Sequence, residues 1–141
     1  MDRFWYTLTK GAYATHGETY TNARDFIWWA KGGKLYGKSP ERIAFLRKIV
    51  ANAPQDDLEV YKDTAEEGKA VRVGGKYFLF YFGARQPAER WLILPNDKKY
   101  TIDIIDAWDM TIKALEGYYS ARTLIKLPAK PYTAVRAILV E

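Results

Sequence analysis

The sequence predicts a mainly β fold, an antiparallel β-sandwich of about 7–8 strands, immunoglobulin-like or jelly-roll-like, preceded by a short α/β segment with one clear helix. Three observations predict it. Beyond residue 57, short apolar stretches alternate with turn residues at the regular spacing of a sandwich. Aromatic residues make up 16% of the chain, with 5 Trp and 11 Tyr, a share that suits a sheet-rich fold or a surface that stacks on flat ligands such as sugars. At 141 residues and 16.3 kDa the chain has the size of one packed core, and its 48% hydrophobic and 28% charged composition excludes a disordered or collagen-like polymer.

In chain order, Gly11 to Tyr20 is dense in small, polar and aromatic residues, and Ile27-Trp28-Trp29-Ala30 is a short apolar run closed by Gly32-Gly33, the pattern of a buried strand ended by a turn. Ser39 stands before Pro40 as an N-cap before a first-turn proline. Ile43, Leu46, Ile49 and Val50 then recur at helical spacing, which predicts a helix over Pro40–Asn52. Glu41 suits its start, Arg47 and Lys48 its end, and Pro54 blocks its extension. A boundary follows, giving segments 1–54 and 55–141. Strands are expected near Leu58–Tyr61, Ala70–Val73, Tyr77–Phe82, Arg90–Leu94, Tyr100–Ile105, Met110–Leu115, Thr123–Leu127 and Tyr132–Val140. Gly74-Gly75 reads as a two-residue hairpin turn with both positions at positive φ. Pro87, Pro95, Pro128 and Pro131 fall in connections, where a missing N–H harms no ladder.

Composition narrows the chemistry. With no cysteine, disulfides, thiolate metal sites and cysteine nucleophiles are excluded, and His16 is the only histidine. No apolar run reaches the roughly 20 residues of a membrane helix. The start Met1-Asp2-Arg3-Phe4-Trp5-Tyr6 lacks a signal peptide's apolar stretch, so the chain as written is expected to be soluble and cytoplasmic. A net charge of +5 could favour nucleic acid or acidic partners, but Lys and Arg are spread evenly, with no block longer than Lys98-Lys99.

Few residues are arranged for catalysis. His16-Gly17-Glu18 is the one place where an imidazole, a carboxylate and a glycine crowd between aromatic residues, which makes Glu18 the best catalytic candidate, against the plain reading of a solvated turn. At least one ring of Trp28-Trp29 belongs to a core, because neighbours on a strand point to opposite faces. Trp108, Tyr118 and Tyr119 are candidates for a sugar platform on the sandwich. Trp91 is explained equally well by core packing with Ile93 on one strand face. Asp103, Asp106 and Asp109 recur every three residues, but calcium needs six or more converging oxygens, and Asp103 reads as an exposed strand residue. No metal and no cofactor are expected.

Three stretches, Gly11-Ala12-Tyr13-Ala14-Thr15-His16-Gly17-Glu18-Thr19-Tyr20, Trp28-Trp29-Ala30-Lys31-Gly32-Gly33 and Ser39-Pro40-Glu41-Arg42-Ile43, resemble the end of the barrel in the apiosidase-like (β/α)8 glycosidases. Tyr81-Phe82-Gly83 with Gln86-Pro87, Asp106-Ala107-Trp108-Asp109-Met110-Thr111, and Leu127-Pro128 with Pro131-Tyr132-Thr133-Ala134-Val135-Arg136 resemble the C-terminal sandwich of the same bacterial, endoglucanase-like hydrolases of carbohydrate metabolism. The resemblance implies that Tyr13–Glu18 is the seventh barrel strand, Ile27–Ala30 the eighth and Pro40–Asn52 the last barrel helix. It further implies Glu18 as nucleophile, His16 as its polar neighbour, and Trp28, Trp29 and Tyr20 as substrate-binding residues.

A retaining glycosidase needs a second carboxyl group about 5–5.5 Å from the first, and a full barrel takes about 250 residues. The family's second carboxylate comes from an earlier strand, so this chain alone is expected to be inactive. It reads as the C-terminal part of a glycoside hydrolase that meets carbohydrate through its parent barrel, with a homodimer through the bared barrel surface as a further expectation. Two other readings stay open: a stand-alone carbohydrate-binding module, and a basic domain for nucleic acid or another partner.

Overall fold

The computed structural model describes residues 1–15, 20–21, 27–28, 37–54, 58–61 and 69–140. Helix α1 (Asp2–Leu8) comes first, then the two-residue strands β1 (Tyr20–Thr21) and β2 (Ile27–Trp28), and then helix α2 (Ser39–Ala51). Eight strands follow: β3 (Glu59–Tyr61), β4 (Lys69–Val73), β5 (Tyr77–Tyr81), β6 (Glu89–Ile93), β7 (Tyr100–Asp106), β8 (Thr111–Ala114), β9 (Arg122–Lys126) and β10 (Thr133–Leu139). All eight coincide with the stretches that alternation and turn residues predict. They form a six-stranded antiparallel sheet in the order β3-β4-β5-β10-β7-β8 and a two-stranded sheet β6-β9.

The fold has three layers. Phe78, Phe80, Ile102, Val135 and Ala137 of the large sheet pack against Leu92 and Ile125 of the small one and against Leu127 just beyond it. On the large sheet's other face, Val71, Val73, Tyr77, Leu79, Tyr81 and Ala134 pack against Trp5, Leu46 and Ile49 of the two helices. This explains why β5 reads as the unbroken run Tyr-Phe-Leu-Phe-Tyr. Buried on both faces, it cannot alternate apolar with polar. Full burial of each such side chain contributes about 1.5–3 kcal/mol, so β5 anchors both cores.

Helix α1 is the element that the sequence does not announce. Its Trp5 is fully buried and stacks on Tyr81 with ring centroids 5.2 Å apart, while the Tyr81 hydroxyl donates to Asp2 Oδ1 at 2.6 Å. Gly11, at φ 70°, lets the chain turn off the helix where a side chain would meet Val60. Helix α2 docks through Leu46 and Ile49, whose carbonyl accepts the Tyr77 hydroxyl at 3.3 Å.

Several local expectations are corrected. Ser39 lies inside the first turn of α2, Lys38 takes the cap position, and no side-chain cap bond forms. The β4–β5 turn has three residues, with only Gly74 among its glycines at positive φ. Trp91 and Ile93 share a strand face as expected, but it is the outer one. Arg90, Leu92 and Leu94 point inward, and Trp91 is exposed. Asp103 is not a free surface residue, because it pairs with the buried Arg136. Residues 13–15 lie outside any strand. Ile27–Trp28 pairs antiparallel with Tyr20–Thr21, and the rest of the expected strands Tyr13–Glu18 and Ile27–Ala30 lies outside the described residues.

Candidate functional site

The expected catalytic pair His16 and Glu18, and Trp29, lie outside the described residues. Tyr20 and Trp28 stand opposite one another in the β1–β2 ladder, which places them at one level of the same short hairpin. The sandwich candidates are fully described, and the structure separates them. Trp108 follows the end of β7, whereas Tyr119 bridges to Tyr100 at its beginning, about 20 Å away at the rise of a strand. Tyr118 is exposed, while Tyr119 is half-buried, rests against the inter-sheet core and donates its hydroxyl to the Glu116 carbonyl at 2.9 Å. The three rings do not make one platform.

Trp108 is clasped. The Arg42 guanidinium carbon lies 3.7 Å above its ring centroid, and Tyr132 stacks on it at 5.3 Å with an interplanar angle of 22°. A guanidinium centred on one face and a ring stacked that closely cannot share that face without overlap, so the two occupy opposite sides of the indole. Arg42 Nε also donates to the Trp108 carbonyl at 2.9 Å, which ties α2 to the β7–β8 turn by a hydrogen bond and a cation–π contact together. The edge of Trp108 remains open, at 45% exposure, but its faces are taken.

Beside it, the Trp108 and Asp109 amides donate to Asp106 Oδ1 at 3.0 and 2.8 Å, and Lys130 Nζ reaches Asp106 Oδ2 at 3.0 Å and Asp109 Oδ2 at 3.3 Å. Burial pushes the Asp106 carboxyl up, but the Asp109 amide, the Lys130 ammonium and the Trp108 amide outweigh it and hold the group below its ordinary value. The two carboxylates raise Lys130 in turn. Lys130 therefore sits where a cation would sit between Asp106 and Asp109, while Asp103 is engaged by Arg136 Nη2 at 2.6 Å. Among the described residues, no three His, Cys, Asp or Glu side chains converge.

Two concavities meet at Asp106 and Lys130. The smaller, about 140 Å³, lies under Trp108 and Tyr132. The larger, about 460 Å³, runs between β8 and the end of β9, over Ile104, Leu115 and Leu127 and beneath Lys113 and Lys126. Of the four non-glycine residues at positive φ among those described, Met110, Ala129 and Tyr132 lie in the two loops around these hollows. Such strain persists only where surrounding contacts hold it. Sequence reasoning missed Arg42, Lys113, Lys126 and Lys130. Lys130, between Pro128 and Pro131, had no local signal for its partners, which stand 24 and 21 positions away. The Arg42 contact had none, because the two partners stand 66 positions apart.

Comparison with known proteins bears on this architecture. A family model described as a domain of unknown function, DUF5605, matches residues 67–138, slightly more than half of the chain. The crystal structure of a putative glycoside hydrolase from Bacteroides vulgatus ATCC 8482 is similar at 28% identity and a TM-score of 0.75, over 92% of this chain and 29% of that one. The chain thus spans less than a third of the protein it resembles. No curated protein matches it in sequence.

Proposed function

Since the chain belongs to the DUF5605 family, we propose from its likeness to one part of the Bacteroides vulgatus protein that it works as the C-terminal accessory domain of a glycoside hydrolase. The observation that carries this reading is the asymmetry of the match, which takes in nearly all of this chain and under a third of its neighbour. In this role the sandwich is a brace. Its large sheet holds α1 and α2 through Trp5, Leu46 and Ile49, and the Arg42–Trp108 clasp sets α2 against the far end of the sheet.

The finer reading is an apiosidase-like barrel whose last strands and helix are supplied by residues 1–54, followed by the sandwich of residues 55–141. Glu18 then serves as nucleophile beside His16, with Trp28, Trp29 and Tyr20 against the sugar. Glycosyl transfer with retention takes two carboxyl groups about 5–5.5 Å apart, and the second comes from the rest of the enzyme. Carbohydrate is then a partner of the whole enzyme, and a homodimer through residues 1–54 is the outcome when the rest is missing. A stand-alone sugar-binding module built on Trp108 is less favoured, because both faces of that indole are occupied.

The test is complementation. A panel of aryl glycosides is offered to this chain, to the remaining N-terminal portion of the neighbour, and to the two together, with Glu18→Gln run in parallel. Hydrolysis only by the mixture, lost in Glu18→Gln, is expected. Turnover by the chain alone overturns the accessory role, and a mixture that stays active with Glu18→Gln removes Glu18 as nucleophile.

A further inference from the structure

The larger groove plays no part in the accessory role. It exists because the two sheets differ in width. Lys113 stands opposite Ile104 across the β7–β8 ladder, on the face that turns toward the second sheet. Among the described residues the second sheet has two strands and ends at β9, so the inner face of β8 stays uncovered and all four β8 residues are exposed. The result is a hollow of about 460 Å³, within the range of about 300–1,000 Å³ common for small-ligand sites.

Its chemistry is specific. Ile104, Leu115 and Leu127 form an apolar floor, and three lysines stand around it against a single carboxylate, that of Asp106. Lys130 is already committed to Asp106 and Asp109. Lys113 and Lys126 make no hydrogen bond or ion pair with any described residue and bring two further ammonium groups to the lining of the hollow, with Glu89 standing opposite Lys126 in the β6–β9 ladder. A lysine on an edge strand can serve merely to block edge-to-edge pairing. That purpose explains Lys113 on its own strand. It does not explain why Lys126, from the other sheet, lines the same hollow.

We propose that this groove binds an acidic saccharide, a uronate-containing oligosaccharide whose carboxylates pair with Lys113 and Lys126 while a pyranose C–H face rests on Ile104, Leu115 and Leu127. The anionic part rests on the charge and shape of the groove. The saccharide part rests on the glycoside hydrolase reading above. Among the described residues no aromatic ring lines the hollow, so charge pairing rather than ring stacking dominates, and affinity falls as salt is raised.

The experiment is titration of the full chain with tetragalacturonate, followed by calorimetry and by amide shifts, beside its fully methyl-esterified form and a tetra-glutamate peptide. Saturable binding of tetragalacturonate, with shifts confined to β8, β9 and the β9–β10 loop, is expected. Lys113→Gln and Lys126→Gln each weaken it by about threefold or more, as for partly exposed charge pairs, and the ester fails to bind. Both lysines are exposed, and an unchanged unfolding midpoint in the variants shows that the fold is kept. Absence of saturable binding, or binding indifferent to both substitutions, overturns the proposal. Equal affinity for tetra-glutamate overturns its saccharide part. None of these readouts needs turnover, so a failure here is distinct from a failure of complementation.

Discussion

At the scale of single residues, the most exacting polar feature is the cross-strand pair of Arg136 and Asp103, on the helix-facing side of the large sheet. Arg136 donates from Nε at 2.9 Å and Nη2 at 2.6 Å to one Asp103 oxygen, and its Nη1 is buried without a hydrogen-bond partner among the described residues. Only 8% of the Arg136 side chain and 15% of the Asp103 side chain is exposed, so water cannot replace a lost partner. Asp103→Ala is expected to cost about 3–5 kcal/mol in urea unfolding, because it strands a buried cation. Arg136→Met added to Asp103→Ala should recover most of that. A single-variant loss well under about 1 kcal/mol would mean that the guanidinium finds water after all.

At the scale of elements, the two helices are held on one face of the large sheet by a few named contacts. Helix α1 has 7 residues, too few to persist alone in water, so its order comes from Trp5 and Asp2 against Tyr81. Helix α2 has its apolar stripe on the sheet and its Arg42 on Trp108. If that clasp couples helix to turn, Arg42→Ala and Trp108→Ala are non-additive, with an interaction term of about 0.5–1 kcal/mol in a double-mutant cycle, the usual size for a partly exposed cation–π contact. Strictly additive losses would reduce the clasp to incidental proximity.

At the scale of the whole molecule, the titrating groups predict a stability plateau with two shoulders. Asp106 is held below its ordinary value, so its contribution is complete above about pH 4 and is lost as pH falls through its folded value. Burial, partly opposed by Arg136, pushes the Tyr77 hydroxyl up to about 12. Its contribution is therefore intact below about pH 10 and is lost between there and about pH 12. Urea midpoints measured across pH should stay level near neutrality and fall on both sides, and Tyr77→Phe should shrink the alkaline fall. Tyr81 and Tyr100 are raised by burial as well and keep part of that fall in the variant. An alkaline limb identical in Tyr77→Phe would contradict this account.

The primary structure by itself determined the eight sandwich strands and helix α2. Their signals are local: alternation, turn residues, and a helical spacing that begins near a proline. It also determined the absence of thiol chemistry. The phase of burial was less legible, as Trp91 and Arg90 show. Alternation tells which residues share a face but not which face meets a second sheet, and a two-stranded partner leaves much of its own outside bare. Only the tertiary structure decided that α1 exists, that Trp108 is clasped rather than open to a ligand, and that Lys113 and Lys126 share a hollow. The first two join residues far apart in the chain, Asp2 and Tyr81 by 79 positions and Arg42 and Trp108 by 66, and the third joins strands of different sheets. Local propensity carries no record of such pairs. They come into being when the sheets and helices pack and the unequal widths of the two sheets decide which surfaces are covered.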